Sequence, residues 1–168
     1  MALFEPIFEA LNRDDVRYVV VGGVAVVLHG YARLTADLDL AVDLDPVEAR
    51  KAIDSLSRLG LRPSAPVEAI GFADPEIRAG WVVDKGMTVF SLRDPADPMR
   101  QVDLFTQSPI PFGELWSRSE LVQLGGLPVR VASIPDLIDM KQSVGRPIDL
   151  RDVEELRAIE EGKDGADG

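Results

Sequence analysis

The stretch Ala36-Asp-Leu-Asp-Leu-Ala-Val-Asp-Leu44 alternates with a period of two. An extended strand puts Leu38, Leu40, Val42 and Leu44 on one face, and Asp37, Asp39 and Asp43 on the other, with Ala41 between them. A helix would scatter the same residues around its surface. The segment therefore predicts a strand seated on a core by its apolar side, with carboxylates on the opposite side. The rest of the chain has to supply that core.

Segments of helical and extended period alternate along the 168 residues. Leu3, Phe4, Ile7, Phe8 and Leu11 have helical spacing. Arg17–Val21 is β-branched and aromatic and stops at Gly22-Gly23, which reads as a buried strand. A short apolar helix from Val24 to His29 ends at Gly30. Pro46 to Leu59 predicts a helix with Pro in its first turn and Gly60 as its stop. Asp74 to Lys85 reads as a loop with a short helix. Met87–Leu92 and Arg100–Phe105 read as strands. Leu121–Leu124 and Pro128–Val131 flank Gly125-Gly126 as a hairpin. Ser133-Ile-Pro-Asp136 opens a helix running to about Val144, and a last helix runs from Asp149 to about Ile159. The expected fold is α+β (α/β): a mixed sheet flanked by helices, in one domain over residues 1–160. Residues 161–168, with no apolar side chain larger than alanine, are expected to form a disordered acidic tail.

Composition removes several classes of function. Cysteine is absent and His29 is the single histidine, which excludes zinc ribbons, iron–sulfur clusters, disulfide frameworks and multi-histidine metal sites. With 18 Lys and Arg against 29 Asp and Glu, the net charge is −11. Such a chain lacks the positive footprint of a duplex-DNA binder. Eight of the acids and three of the bases lie between Pro147 and Gly168. No apolar run approaches the ~20 residues of a membrane span, and Met-Ala-Leu-Phe-Glu-Pro has no signal-peptide core. The expectation is a cytoplasmic protein.

Asp37-Leu38-Asp39 alone means little. Among 18 Asp, roughly two Asp-x-Asp pairs arise by chance, and two are found, the second being Asp43-Leu44-Asp45. The plain alternative is a solvated edge-strand face. Placed on a strand anchored by Leu38 and Leu40, however, Asp37 and Asp39 repel each other unless one is protonated or a cation lies between them. Hard oxygen donors suit Mg²⁺ or Mn²⁺. Gly22-Gly23, between a strand and a helix start, either lets a ligand approach the backbone and free N–H groups or simply makes a tight turn. Asp103, in Gln101-Val-Asp-Leu-Phe105, would complete a three-acid site if it lies beside the pair, and is otherwise an exposed strand residue. Lys141, followed by Arg146, Asp149 and Asp152, is either a site cation or a solvated side chain, and Arg146 to Asp152 reads as an ion pair across a helix junction. His29 is expected to close its helix and bond to backbone. Trp81 and Trp116 are either core or interface.

The run Val20-Val-Gly-Gly-Val-Ala-Val-Val-Leu-His-Gly-Tyr-Ala-Arg-Leu-Thr-Ala-Asp-Leu-Asp-Leu-Ala-Val42 resembles the opening of the nucleotidyltransferase fold, the polymerase-β-like superfamily. It is most similar to the small bacterial branch that includes abortive-infection nucleotidyltransferase toxins. Leu137 to Asp152 is similar to that branch's closing Lys…Arg-Pro-x-Asp-x-x-Asp segment. The resemblance implies a metal-dependent enzyme that moves NMP from an NTP to a hydroxyl on a tRNA end, a protein or a small molecule. It implies that Asp37, Asp39 and Asp103 hold Mg²⁺ or Mn²⁺ and carry the catalysis. Gly22, Gly23, Arg33, Thr35 and Lys141 would bind the nucleotide, with Thr35 either positioning Asp37 or serving as a strand residue. A cognate antitoxin is a further implied partner. The alternatives are a non-catalytic nucleotide- or partner-binding module on the same fold, or a scaffolding protein that assembles with another chain.

Overall fold

The computed structural model describes residues 1–166. The chain begins with α1 (Glu5–Arg13), β1 (Tyr18–Val21), α2 (Gly22–Leu28) and β2 (Leu38–Val42). Next come α3 (Pro46–Arg58), β3 (Arg62–Pro63), a 3-10 turn at Ala69–Ala73 and α4 (Pro75–Lys85). The second half holds β4 (Val89–Arg93), β5 (Gln101–Phe105), α5 (Phe112–Arg118), the hairpin β6 (Glu120–Leu124) and β7 (Leu127–Val131), then α6 (Ile134–Val144) and α7 (Pro147–Ala166). The fold is α+β, as the alternation of periods predicts.

The seven strands form one mixed sheet in the order β3-β4-β5-β2-β1-β7-β6. Sequence neighbours β1 and β2 pair antiparallel, whereas β2 pairs parallel with β5 and β1 parallel with β7. The acidic strand is therefore central and carries hydrogen-bonded partners on both sides. Its leucines behave as the alternation requires: Leu38 and Leu40 are fully buried, and Asp39 between them is half-buried. They join a core that includes Phe8, Phe72, Phe90, Ile53 and Leu104.

Local chemistry sets the ends of the elements. Asp45 caps α3 by accepting from the Val47 N–H, and Ser133 caps α6 by accepting from the Asp136 N–H. Gly125 and Gly126 take φ of 58° and 85°, the left-handed pair that a tight two-residue hairpin turn demands. His29 sits at the end of α2, and its Nε2 lies 2.8 Å from the Ala132 carbonyl oxygen, a backbone tie between α2 and the segment after β7. Trp81 is core, stacked on Phe90 at 5.2 Å. Trp116 is half-buried, with Arg130 4.2 Å and Arg17 5.0 Å from its ring centroid.

The structure departs from the sequence reading at several points. The strand in the alternating segment is shorter, so Asp37 precedes it and Asp43 follows it. The helix α5 is absent from the sequence reading: its apolar residues Phe112, Leu115 and Trp116 have helical spacing but span little more than one turn, and only Leu115 is fully buried. The last helix continues from Ile159 to Ala166, through most of the stretch expected to be a disordered tail, while residues 167–168 lie outside the described residues.

Candidate active site

The acidic wall of the site is a register effect. In the parallel pair β2/β5, Asp39 lies directly opposite Asp103. Neighbouring strands are about 4.8 Å apart, and like charges placed directly opposite destabilise a sheet. Burial pushes the Asp39 carboxyl up to about 7, and the charges of Asp103 and Asp37 add to the rise. Burial, followed by the charge of Asp103, also raises Asp37, against a smaller opposing effect of Arg93. The charge of Asp103 thus acts on both Asp37 and Asp39 at the end of the sheet. Asp103 is steadied on its far strand: its Oδ1 accepts from Ser91 Oγ at 2.6 Å and from Gln101 Nε2 at 3.1 Å. Ser91 is the β4 residue in register with Asp103.

Gly22 and Gly23 make this wall possible. Gly22 has φ of +67°, and a Cβ there would lie 2.1 Å from Oδ2 of Asp39. A Cβ on Gly23 would lie 2.6 Å from Thr35 Oγ1 and 2.8 Å from Arg33 Nη2. The sequence leaves two readings for these glycines, the approach of a ligand or a tight turn. In the structure the space beside the two α-carbons admits Asp39, Thr35 and Arg33, so the glycines set the position of other site residues. Thr35 lies outside the strand, with its hydroxyl 3.4 Å from the Asp37 carbonyl oxygen.

The facing wall is cationic and comes from the α6–α7 corner. Lys141, on α6, is buried, and its Nζ lies 2.7 Å from Asp152 Oδ2. Arg33, from the loop between α2 and β2, places Nη2 2.9 Å from the same oxygen. Arg146, in the turn before α7, forks onto Asp149 at 2.7 and 3.2 Å and holds that carboxyl below its ordinary range. An ion pair does span this junction, but Arg146 takes Asp149 rather than Asp152, and the pair is one part of a larger network. The fully buried Asp152, which the sequence reading places in an ion pair with Arg146, instead joins Arg33 and Lys141 through one oxygen. Its place three residues after Asp149 on α7 is the signal that locates it, because that spacing puts both acids on one helix face.

Between the walls lies a cleft of about 680 Å³, within the range of small-ligand sites. Asp37, Asp39, Asp103, Gly22, Gly23, Arg33, Thr35 and Lys141 all line it, together with Arg146, Phe105, Met140, Val144 and Ile148. The eight residues nominated from sequence are thus brought to one place. Among the described residues, no group of three or more acids, histidines or cysteines is arranged as a ready metal cage. The donor set nevertheless fits a hard dication. It is all carboxylate, and the register that sets Asp39 opposite Asp103, with Asp37 beside them in the cleft lining, gathers hard oxygen donors in one place. No helix in the described residues is long and apolar enough to cross a membrane.

The family model for a nucleotidyltransferase of unknown function (DUF6036) matches residues 1–161. No curated protein matches the chain. Among solved structures, the chain is similar to the lincosamide antibiotic adenylyltransferase LnuA in its lincomycin-bound form, with 14% identity, TM-score 0.65, and coverage of 95% of this chain and 97% of that one. It is also similar to a putative nucleotidyltransferase (TM1012) from Thermotoga maritima, with 15% identity, TM-score 0.58 and coverage of 94% and 89%. A third is ANT(2")-Ia in complex with adenylyl-2"-tobramycin, with 15% identity, TM-score 0.59 and coverage of 92% and 86%. At these identities the likeness concerns the fold.

Proposed function

The chain belongs to the DUF6036 family of nucleotidyltransferases, and we propose that its cleft transfers NMP from an NTP to the hydroxyl of a small molecule. The observation that carries this reading is the Asp39–Asp103 register pair facing a cationic wall across one cleft. The two walls divide the work that nucleotidyl transfer needs. A triphosphate requires positive charge along its oxygens, and an attacking hydroxyl requires a nearby acceptor for its proton.

In this reading Arg33 and Lys141 bind the triphosphate beside Gly22 and Gly23, and Thr35 holds the segment that carries Asp37. Asp37, Asp39 and Asp103 would hold Mg²⁺ or Mn²⁺. Such an ion supplies Lewis-acid stabilisation of charge on the phosphate oxygens when bound. Asp103, oriented by Ser91 and Gln101, takes the proton of the acceptor hydroxyl. The hydroxyl oxygen forms a bond to the α-phosphorus, the bond from that phosphorus to the β-bridging oxygen breaks, and pyrophosphate leaves with the electron pair.

The mouth of the cleft supports a small acceptor with an apolar face. Leu34 is 96% exposed and Val144 62% exposed, and both line the opening together with Ile148. The net charge of −11 opposes a polyanionic tRNA. LnuA and ANT(2")-Ia, whose structures hold lincomycin and adenylyl-2"-tobramycin, are similar in fold and favour the same class of acceptor.

The test incubates the protein with each labelled NTP, Mg²⁺ and a total cell extract, then separates small molecules, protein and RNA. Label in the small-molecule fraction with release of pyrophosphate is the expected result. Label in tRNA would instead support the toxin role that the N-terminal resemblance implies. Absence of label in every fraction, or undiminished labelling by both Asp37→Ala and Asp39→Asn, would overturn the proposed reaction.

A further inference from the structure

The cationic wall is assembled from two distant parts of the chain. Arg33 stands 119 positions before Asp152, and Lys141 stands 11 before it, yet both donate to Oδ2 of that residue. Asp152 is fully buried, and it lies behind the residues that line the cleft. Its other oxygen, Oδ1, has no hydrogen-bond partner, and neither has Nε of Arg33. A structural ion pair buried only for stability gains from matching every donor to an acceptor. This one leaves an acceptor and a donor unmatched and puts two cations on one atom. Stability alone is a poor explanation for that arrangement.

Lys141 also lies 3.8 Å from Asp149, which Arg146 holds; the three cations Arg33, Lys141 and Arg146 against Asp149 and Asp152 leave an excess of one positive charge, and Arg33 and Lys141 both reach the cleft. Long basic side chains without a buried anchor lose much rotamer freedom when they take hold of a ligand. Anchored in advance, they do not, so the ligand gains affinity from preorganisation. We propose that Asp152 is a positioning residue for the nucleotide: it ties the loop after α2 to α6 so that Arg33 and Lys141 meet the triphosphate as one preset pair. The inference rests on the nucleotide reading of the cleft, and it adds a dependence of NTP affinity on a residue that does not itself reach the ligand.

The prediction is a loss of NTP affinity rather than of chemistry. Binding is measured by calorimetry on the full chain with ATP, GTP, CTP and UTP in turn, with Mg²⁺ present and no acceptor. The isosteric Asp152→Asn is expected to weaken the preferred NTP at least tenfold. Where a transfer assay exists, it should raise KM far more than it lowers kcat. If Asp152 only holds the fold together, the variant melts at a lower temperature but its folded fraction binds NTP with unchanged Kd, and the inference falls.

A cycle of Arg33→Gln, Lys141→Gln and the double variant decides the matter even if Asp152→Asn does not fold. A shared anchor predicts that the double variant loses less than the sum of the two single free-energy losses, and strict additivity overturns the inference. Wild-type protein that binds none of the four nucleotides sinks the nucleotide reading itself. Wild-type binding that Asp152→Asn leaves intact sinks only the role given to Asp152.

Discussion

The tripeptide Asp-Leu-Asp occurs twice within nine residues, at Asp37–Asp39 and at Asp43–Asp45, and the two copies have opposite fates. In the second copy every acid has a donor. Asp43 pairs with Arg17 at 2.9 Å and accepts from the Asp45 N–H at 3.1 Å, and Asp45 accepts from the Val47 N–H at 3.0 Å. In the first copy no salt bridge forms to Asp37 or Asp39 among the described residues, and the charge that most affects each of them is another carboxylate. The sequence pattern is the same and the neighbours differ. One copy starts a helix; the other concentrates negative charge at a cleft. A short acidic motif therefore acquires meaning from what the fold sets opposite it.

That contrast can be broken most directly by exchanging carboxylate for amide in each copy. Asp39→Asn is expected to lower the transfer rate by at least ~10²-fold, the usual cost of removing a charge that acts on the transition state. Asp43→Asn should leave it within about twofold. Equal losses in the labelled-NTP assay would erase the distinction between the copies.

A smaller but thermodynamic contrast lies in pH. The Asp39 carboxyl titrates near 7 in the folded protein against 3.8 for an ordinary Asp, so the folded state binds the extra proton between those values. Stability in EDTA should therefore fall as pH rises from about 4 to about 7, and level off above. Asp39→Asn removes this slope and is expected to be more stable than wild type at pH 8 by a few kcal/mol, at order-of-magnitude level. Denaturant unfolding at pH 5 and pH 8 measures it. An identical slope in the variant would mean that the strain resides elsewhere.

The second copy predicts the reverse ordering of effects. Asp45→Ala deletes the cap of α3 and should cost about 1 kcal/mol of stability with no loss of activity. Arg17→Gln breaks a partly exposed ion pair with Asp43 and should cost under ~1 kcal/mol. Thermal melts beside the transfer assay would sharpen the comparison by showing stability and activity moving independently.

The central strand was legible because its period is two and its apolar residues are uninterrupted, and the Ser133 cap and the Gly125-Gly126 turn were legible because each rests on local chemistry. The position of Asp103 opposite Asp39 was not, since a strand pattern carries no information about which later strand it will pair with or in what register. α5 escaped because its seven residues give a helical apolar pattern little more than one turn to show itself. The role of Asp152 escaped for a different reason: the residue is visible in the closing segment, but its partner Arg33 lies more than a hundred positions away. The glycines were legible as a tight place, but what crowds that place is Asp39, Thr35 and Arg33.

The placement of β2 between β1 and β5 also constrains how this gene can change. A strand hydrogen-bonded along both edges cannot shift by one position without exchanging its two faces. Losing a single codon between Leu38 and Val42 would drive carboxylates into oil and lift leucines toward substrate, so length variation among descendants should collect in the turns and spare this five-residue segment.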